Sequence, residues 1–104
     1  MEVLRLTLKK KWFDMILSGE KKEEYREIKP YWETRLEEAP LAPFLHRFKK
    51  FDAVEFTNGY GNDKPKILIE CCKIDLDYGR PEWGAKPNKP YYVIYLGDII
   101  GTQN

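Results

Sequence analysis

Lys66-Ile67-Leu68-Ile69-Glu70-Cys71-Cys72-Lys73-Ile74-Asp75-Leu76 is the stretch that separates the candidate folds. It reads as one long strand whose apolar parity changes partway. Ile67 and Ile69 share one face, and Cys72, Ile74 and Leu76 share the other. An extra residue lets a strand switch faces, so a bulge or a sharp bend is expected inside it. A long bent strand favours a barrel over a doubly wound parallel sheet.

The flanking segments agree with that choice. Gly79 to Pro90 reads as a loop carrying Arg80, Glu82, Trp83 and Lys86. Tyr91 to Leu96 is a nearly continuous apolar run, which predicts a strand buried on both faces, and Gly97 to Ile100 adds a short extension. Upstream, Ala53 to Thr57 is a short strand followed by the turn signals Asn58-Gly59 and Gly61-Asn62-Asp63. Glu2 to Leu8 alternates, with Leu4, Leu6 and Leu8 on one face, and reads as a half-buried strand. Trp12, Phe13, Ile16 and Leu17 form the apolar stripe of a helix over Lys10 to Leu17, stopped by Ser18-Gly19. Lys22 to Ile28 predicts a second strand, with Lys22, Glu24, Arg26 and Ile28 on one side. Pro30 opens a helix to about Glu38, in which Trp32 and Leu36 share a face and Tyr31 and Arg35 an adjacent one. Ala39 to Lys50, with Pro40 and Pro43, is irregular or broken helix anchored by Phe44, Leu45, Phe48 and Phe51. The order is strand, helix, strand, helix and then three strands, with few residues left for crossover helices. The expected fold class is α+β, a small, mostly antiparallel β-barrel with two or three short helices packed on it.

A chain of 104 residues makes one domain, residues 1–104, with no room for two cores. Hydrophobic residues at 42% argue against disorder, and charged residues at 34% argue against a membrane protein. No apolar run approaches the ~20 residues of a membrane-spanning helix. The start, Met1-Glu2-Val3-Leu4-Arg5, lacks the apolar stretch of a signal peptide, and Cys71 and Cys72 are adjacent, where a bridge would be strained and staple nothing. These features predict a reduced, cytoplasmic protein. Residues 1–50 carry 12 Lys/Arg against 9 Asp/Glu, and residues 51–104 carry 6 against 8. That excess is too small to mark a nucleic-acid binder by charge alone, so such a partner needs a local patch.

The densest cluster of unusual residues is Ser18-Gly19-Glu20-Lys21-Lys22-Glu23-Glu24-Tyr25-Arg26. Buried charge is costly unless paired. Either this is a solvated edge strand defended by its charges, or Lys21, Glu24 and Arg26 converge at a cleft. In a cleft, the arginine fork holds a planar or anionic group, and the lysine acts as a point charge or a tuned base. A Glu24–Arg26 pair would make the cluster structural.

Gly19-Glu20-Lys21-Lys22-Glu23-Glu24-Tyr25-Arg26 resembles the G-x-K-x-x-E-x-R signature of the ASCH (activating-signal-cointegrator homology) domain family, and all four fixed positions match. The following Glu27-Ile28-Lys29-Pro30-Tyr31-Trp32 is similar to a phage and bacterial branch of small single-domain members. The resemblance implies a PUA-like β-barrel that binds RNA or nucleotides in a cleft lined by Lys21, Glu24 and Arg26. It also implies a possible hydrolase. Some small members remove the acyl group of acetylcytidine with the signature lysine, a threonine and a distant glutamate, and at least one member is a ribonuclease. This chain carries Glu24 where those amidohydrolases carry threonine. A carboxylate there can act as a base but not as a hydroxyl nucleophile.

Other residues add candidates. Glu70 shares parity with Leu68 and Cys72 and is either an exposed carboxylate or an inward partner of Glu24 in an acid/base pair. Tyr31, Trp32, Tyr60 and Trp83 lie near helix starts or loops, where they either pack or stack on bases. Asn58-Gly59-Tyr60-Gly61 is either a plain turn or a ligand-facing loop. The candidate ligand-binding set is therefore Lys21, Glu24, Arg26, Asn58, Tyr60 and Trp83, and the candidate catalytic set is Lys21, Glu24 and Glu70. His46 is the single histidine, expected at the surface beside Arg47, and neither a zinc site nor a catalytic triad is supported. No metal or cofactor is implied. Lys9-Lys10-Lys11, Lys21-Lys22 and Lys49-Lys50 are either solvated faces or a basic rim for phosphates. The expected partners are RNA or a nucleoside or nucleotide and no membrane. The remaining alternative is a protein-interaction module that uses the aromatic surface.

Overall fold

The computed structural model describes residues 1–39 and 44–104. Its elements are β1 (Val3–Leu8), α1 (Lys10–Leu17), β2 (Glu23–Arg26), α2 (Pro30–Leu36), β3 (Ala53–Asn58), β4 (Lys66–Tyr78), a 3-10 turn (Pro81–Trp83) and β5 (Pro90–Gln103). The five strands form one mixed sheet in the order β1-β3-β4-β5-β2. Only β1 and β3 run parallel; the other pairings are antiparallel. This is an α+β, mostly antiparallel fold with two α-helices and a barrel-like sheet. The sheet curls until its two edge strands, β1 and β2, line one cleft from opposite sides.

The bulge expected in β4 is present, as register shifts against β5 between Leu68 and Ile69, Ile69 and Cys71, and Cys71 and Lys73. Its place corrects the sequence reading by one residue. Ile67 and Ile69 are buried, Cys71 packs against the same core, and the face switches only then, to Ile74 and Leu76. Cys72, read as inward, is exposed. The extra residue falls between Cys71 and Lys73, and hydrophobicity alone did not distinguish two adjacent cysteines.

Over Tyr91–Leu96, β5 is buried on both faces, as its sequence predicted, while its end from Asp98 onward is exposed. Tyr92, Ile94 and Leu96 enter the main core with Leu4, Leu6, Leu8, Phe13, Ile16, Leu36, Val54 and Phe56. Tyr91 and Val93 face a second, smaller cluster with Tyr25 and Ala85. The strand also runs further than predicted, to Gln103, where residues from Ile99 to Gln103 pair with Lys66 to Ile69 of β4. β2 is shorter than predicted, since only Glu23–Arg26 pair with β5. α2 ends at Leu36 rather than Glu38. Phe48 and Phe51 pack on the core, but Phe44 and Leu45 are exposed and anchor nothing. The Pro40–Pro43 part of the predicted irregular segment lies outside the described residues. No helix among the described residues is long and apolar enough to cross a membrane.

The two cysteines are thereby made unequal. Burial pushes the Cys71 thiol up to about 11. Cys72→Ser is expected to change stability by less than ~0.5 kcal/mol and Cys71→Ser to cost ~1 kcal/mol or more. Denaturant melts of both variants, with alkylation of the wild type labelling Cys72 first, check this register.

Candidate functional site

Gly19 ends α1 in the left-handed region, at φ 86, which only glycine adopts without strain. The chain then folds back, and the Lys21 N–H donates to the Met15 carbonyl at 2.9 Å. This return places Lys21 beneath α1, with none of its surface exposed. Its ammonium lies 3.1 Å from Glu24 Oε1 and donates to the Trp83 carbonyl at 2.6 Å. The Trp12 and Tyr25 rings enclose it at 5.0 and 4.8 Å from their centroids. Burial lowers the Lys21 pKa from 10.5, an effect that Glu24 partly offsets.

Glu24 continues the chain of charges. Its Oε1 also accepts from the Tyr25 N–H at 3.0 Å, and its Oε2 lies 3.0 Å from Arg26 Nη1. Arg26 donates onward to the Tyr25 carbonyl at 2.8 Å and, across the cleft, to the Thr7 carbonyl of β1 at 3.2 Å. Its guanidinium lies 5.2 Å from the Trp32 ring centroid. Glu24 and Arg26 share a face of β2 as the strand period required, and they pair, which is the structural arrangement the sequence allowed; both side chains nevertheless line the cleft. Lys21, Glu24 and Arg26 thus form one ion-paired series that joins α1, β2 and β1.

The cleft above this series holds about 470 Å³, inside the rough 300–1,000 Å³ range of small-ligand sites. Glu24 and Arg26 line it, together with Trp12, Tyr31, Trp32, Tyr60 and Trp83, while Arg5 and Lys9 stand at β1 and its end. Lys21 does not line it. Lys21 supports the wall from behind, through Glu24 and Trp83. The wall at Trp83 depends on Gly84, at φ 105, where an added Cβ would lie 3.0 Å from the Trp12 indole. Tyr25 ties down the same loop, because its hydroxyl accepts from the Arg80 N–H at 2.9 Å and donates to Glu23 at 2.9 Å.

The remaining candidates divide. Tyr60 and Trp83 line the cleft, and Tyr60 is 87% exposed. Asn58 closes β3 opposite Leu8 and is not among the lining residues. Glu70 is exposed, accepts the Asp98 N–H at 2.9 Å and lies outside the cleft, so it takes the first of the two readings its sequence position allowed. Of the lysine runs, only Lys9 reaches the cleft. His46 is at the surface, 2.9 Å from Glu37, whose other oxygen accepts from the buried Tyr92 hydroxyl. Among the described residues no group of acidic, cysteine or histidine side chains is arranged to hold a metal. Sequence reasoning missed Trp12 as a lining residue. Its place in the apolar stripe of α1 marked it as core, and only the turn at Gly19 brings its ring over Lys21.

Comparison with known proteins finds no matching family model, no matching curated protein and no matching solved structure.

Removing one member of a buried ion pair strands the other, so Lys21→Ala is expected to cost ~3–5 kcal/mol, with Lys21→Met losing less because it keeps the packing. Urea melts of the two variants measure this. Gly84→Ala should cost ~1–3 kcal/mol through strain and crowding against Trp12. Its signature is a changed tryptophan fluorescence in a protein that still folds.

Alkaline pH offers a further check. Burial raises the Tyr25 and Tyr92 hydroxyls above their usual 10.0 and pushes Tyr95 up to about 12. The folded state keeps protons that the unfolded chain releases above pH 10.0, so this stabilisation is full below that value and is lost as pH climbs through the folded values. Lys21, whose pKa is lowered by burial, acts in the opposite sense below 10.5, so above that point only the tyrosine effect remains. Tyrosinate absorbance should lag a free-tyrosine titration and appear together with unfolding.

Proposed function

We propose that this chain is an ASCH-type, PUA-like domain that binds RNA or a nucleoside in the cleft between β1 and β2. The observation that carries this reading is the pairing of an arginine donor and a glutamate acceptor, Arg26 and Glu24, at the base of an aromatic-walled cleft. A guanidinium has five N–H donors. Two of them go to the Tyr25 and Thr7 carbonyls, and a third faces Glu24 in an ion pair at 3.0 Å. The remaining two suit a carbonyl or a phosphate oxygen in a fork. Glu24 beside them accepts from an exocyclic amine, so the pair presents a donor and an acceptor to one edge of a base. The rings of Trp32, Tyr60 and Trp83 supply stacking faces, worth ~1–3 kcal/mol per base. Lys9 adds a positive charge at the end of β1, while Arg5 beside it is paired with Glu55 at 3.6 Å. The matched G-x-K-x-x-E-x-R positions support the same assignment.

A hydrolytic reading is less well supported by the geometry. It asks Lys21 to act on a bound substrate, yet Lys21 is enclosed by Trp12, Tyr25, Glu24 and the Trp83 carbonyl. Glu70, the candidate second carboxylate, lies outside the cleft. In this proposal Lys21 positions Glu24 and Trp83, and Arg26 and Glu24 touch the ligand.

The test is calorimetry with nucleoside monophosphates, acetylcytidine and short single-stranded RNA. Arg26→Ala should weaken binding by about tenfold or more, as expected for a charge-assisted contact. Tyr60→Ala should weaken it by at least about fivefold without loss of stability, because the ring is exposed. Unchanged affinity in folded forms of both variants would overturn the proposal, and ligand turnover would restore the hydrolase.

A further inference from the structure

A second groove lies where β3 and β4 separate. Their antiparallel register ends at Ala53 opposite Glu70, with one further bond, from the Cys71 N–H to the Asp52 carbonyl at 3.1 Å. The chain before β3 then turns toward α2, where the Lys49 N–H donates to the Leu36 carbonyl at 2.8 Å. β4 continues to Tyr78, and among the described residues only β5 pairs with this part of it. The resulting fork holds a groove of about 570 Å³ between Phe48–Phe51 and Cys71–Ile74.

Its floor is apolar, since Phe48, Phe51 and Cys71 pack on the core and Ile74 belongs to it. Its charges are all positive. Lys49, Lys50 and Lys73 line it, no carboxylate does, and none of the three is in an ion pair among the described residues. Lys49 and Lys73 meet only neutral groups, the Thr34 carbonyl at 3.1 Å and the Tyr95 ring at 4.9 Å.

The exposed edge of β4 is treated differently along its length. The Leu76 and Tyr78 N–H groups bond the side chains of the residues before them, Asp75 and Asp77, at 2.8 and 2.7 Å. These donors turn away from β5 and are blocked, a usual way of blunting a sheet edge. By the two-residue period the Ile74 N–H points the same way. The residue before it is Lys73, which cannot accept a hydrogen bond. Of the outward N–H donors at Ile74, Leu76 and Tyr78, only that of Ile74, beside the lysine-lined groove, has no acceptor on the preceding side chain.

We propose that this fork is a docking site for an extended acidic segment of a partner protein, which adds to β4 as a short strand along Cys72–Ile74. Main-chain bonds to the open edge hold the segment, as in other cases of strand addition. Its apolar side chains cover Phe48 and Phe51, and its carboxylates face Lys50 and Lys73. Asp75 and Asp77 limit the added strand, because they block the next donors and repel further acidic residues. The inference is independent of the cleft between β1 and β2.

The test is an amide NMR titration of the full chain with three blocked hexapeptides: one alternating Val and Glu, one alternating Val and Lys, and an N-methylated copy of the first. The Val/Glu peptide should shift the signals of residues 48–51 and 71–74 at submillimolar to millimolar concentration, leaving Glu24 and Arg26 unmoved. The Lys50→Glu, Lys73→Glu double variant, with its core signals unchanged, should bind it about tenfold more weakly. Absence of shifts, or equal binding of the Val/Lys peptide, overturns the acidic partner. Equal binding of the N-methylated peptide overturns strand addition. The same shifts appearing with protein concentration alone would assign the fork to a second copy of the chain, which also overturns the proposal.

Discussion

A fully buried ammonium governs the architecture around the cleft. Lys21 has no exposed surface, and its charge is tolerated because Glu24, the Trp83 carbonyl and two aromatic faces replace the water it has lost. Each of those partners belongs to a different part of the chain. Trp12 is on α1, Glu24 and Tyr25 are on β2, and Trp83 is on the loop before β5. Satisfying one charge therefore fixes the relative positions of three segments. Arg26 extends the series to β1 and spans the edges of the sheet with a side chain, where no backbone ladder closes them.

This closure explains the character of the cleft. Two strand edges left apart expose polar backbone, which would normally invite another strand. Here the aromatic side chains of α1, α2 and two loops stand around the gap, and Arg26 occupies one of its acceptors. The gap is thus lined by rings and a guanidinium rather than left as a bare strand edge. The fork at β4 has the opposite character. Its edge is open over only a few residues, its floor is apolar and its rim is positive. One curled sheet presents two unlike openings, because its strands have unequal lengths and cannot all be paired from end to end.

Several elements were legible from local pattern. The alternation of Leu4, Leu6 and Leu8, the stripe of Trp12, Phe13 and Ile16, the stop at Gly19 and the continuous apolar run at Tyr91–Leu96 each depend on neighbours within a few residues, and each is present, whereas Leu17, read as part of the stripe, is exposed. The parity switch in β4 also declared its bulge. Its position did not, because Cys71 and Cys72 have the same side chain and only the pairing with β5 makes one inward and the other exposed. The ends of β2 and β5 were misjudged for a similar reason, since strand length is set by the partner available.

The candidate site follows the same division. The sequence by itself determined that charged residues crowd Gly19–Arg26, that Glu24 and Arg26 share a face, and that Tyr60 and Trp83 lie on loops. These are consequences of spacing and of strand period. Only the tertiary structure decided that Lys21 is sealed behind the cleft while Arg26 faces it, that Trp12 helps wall it, and that Glu70 and Asn58 stand outside. Burial and ion pairing depend on which segments meet, and segments from Trp12 to Trp83 meet here only because the sheet curls and the loop before β5 folds back onto Tyr25.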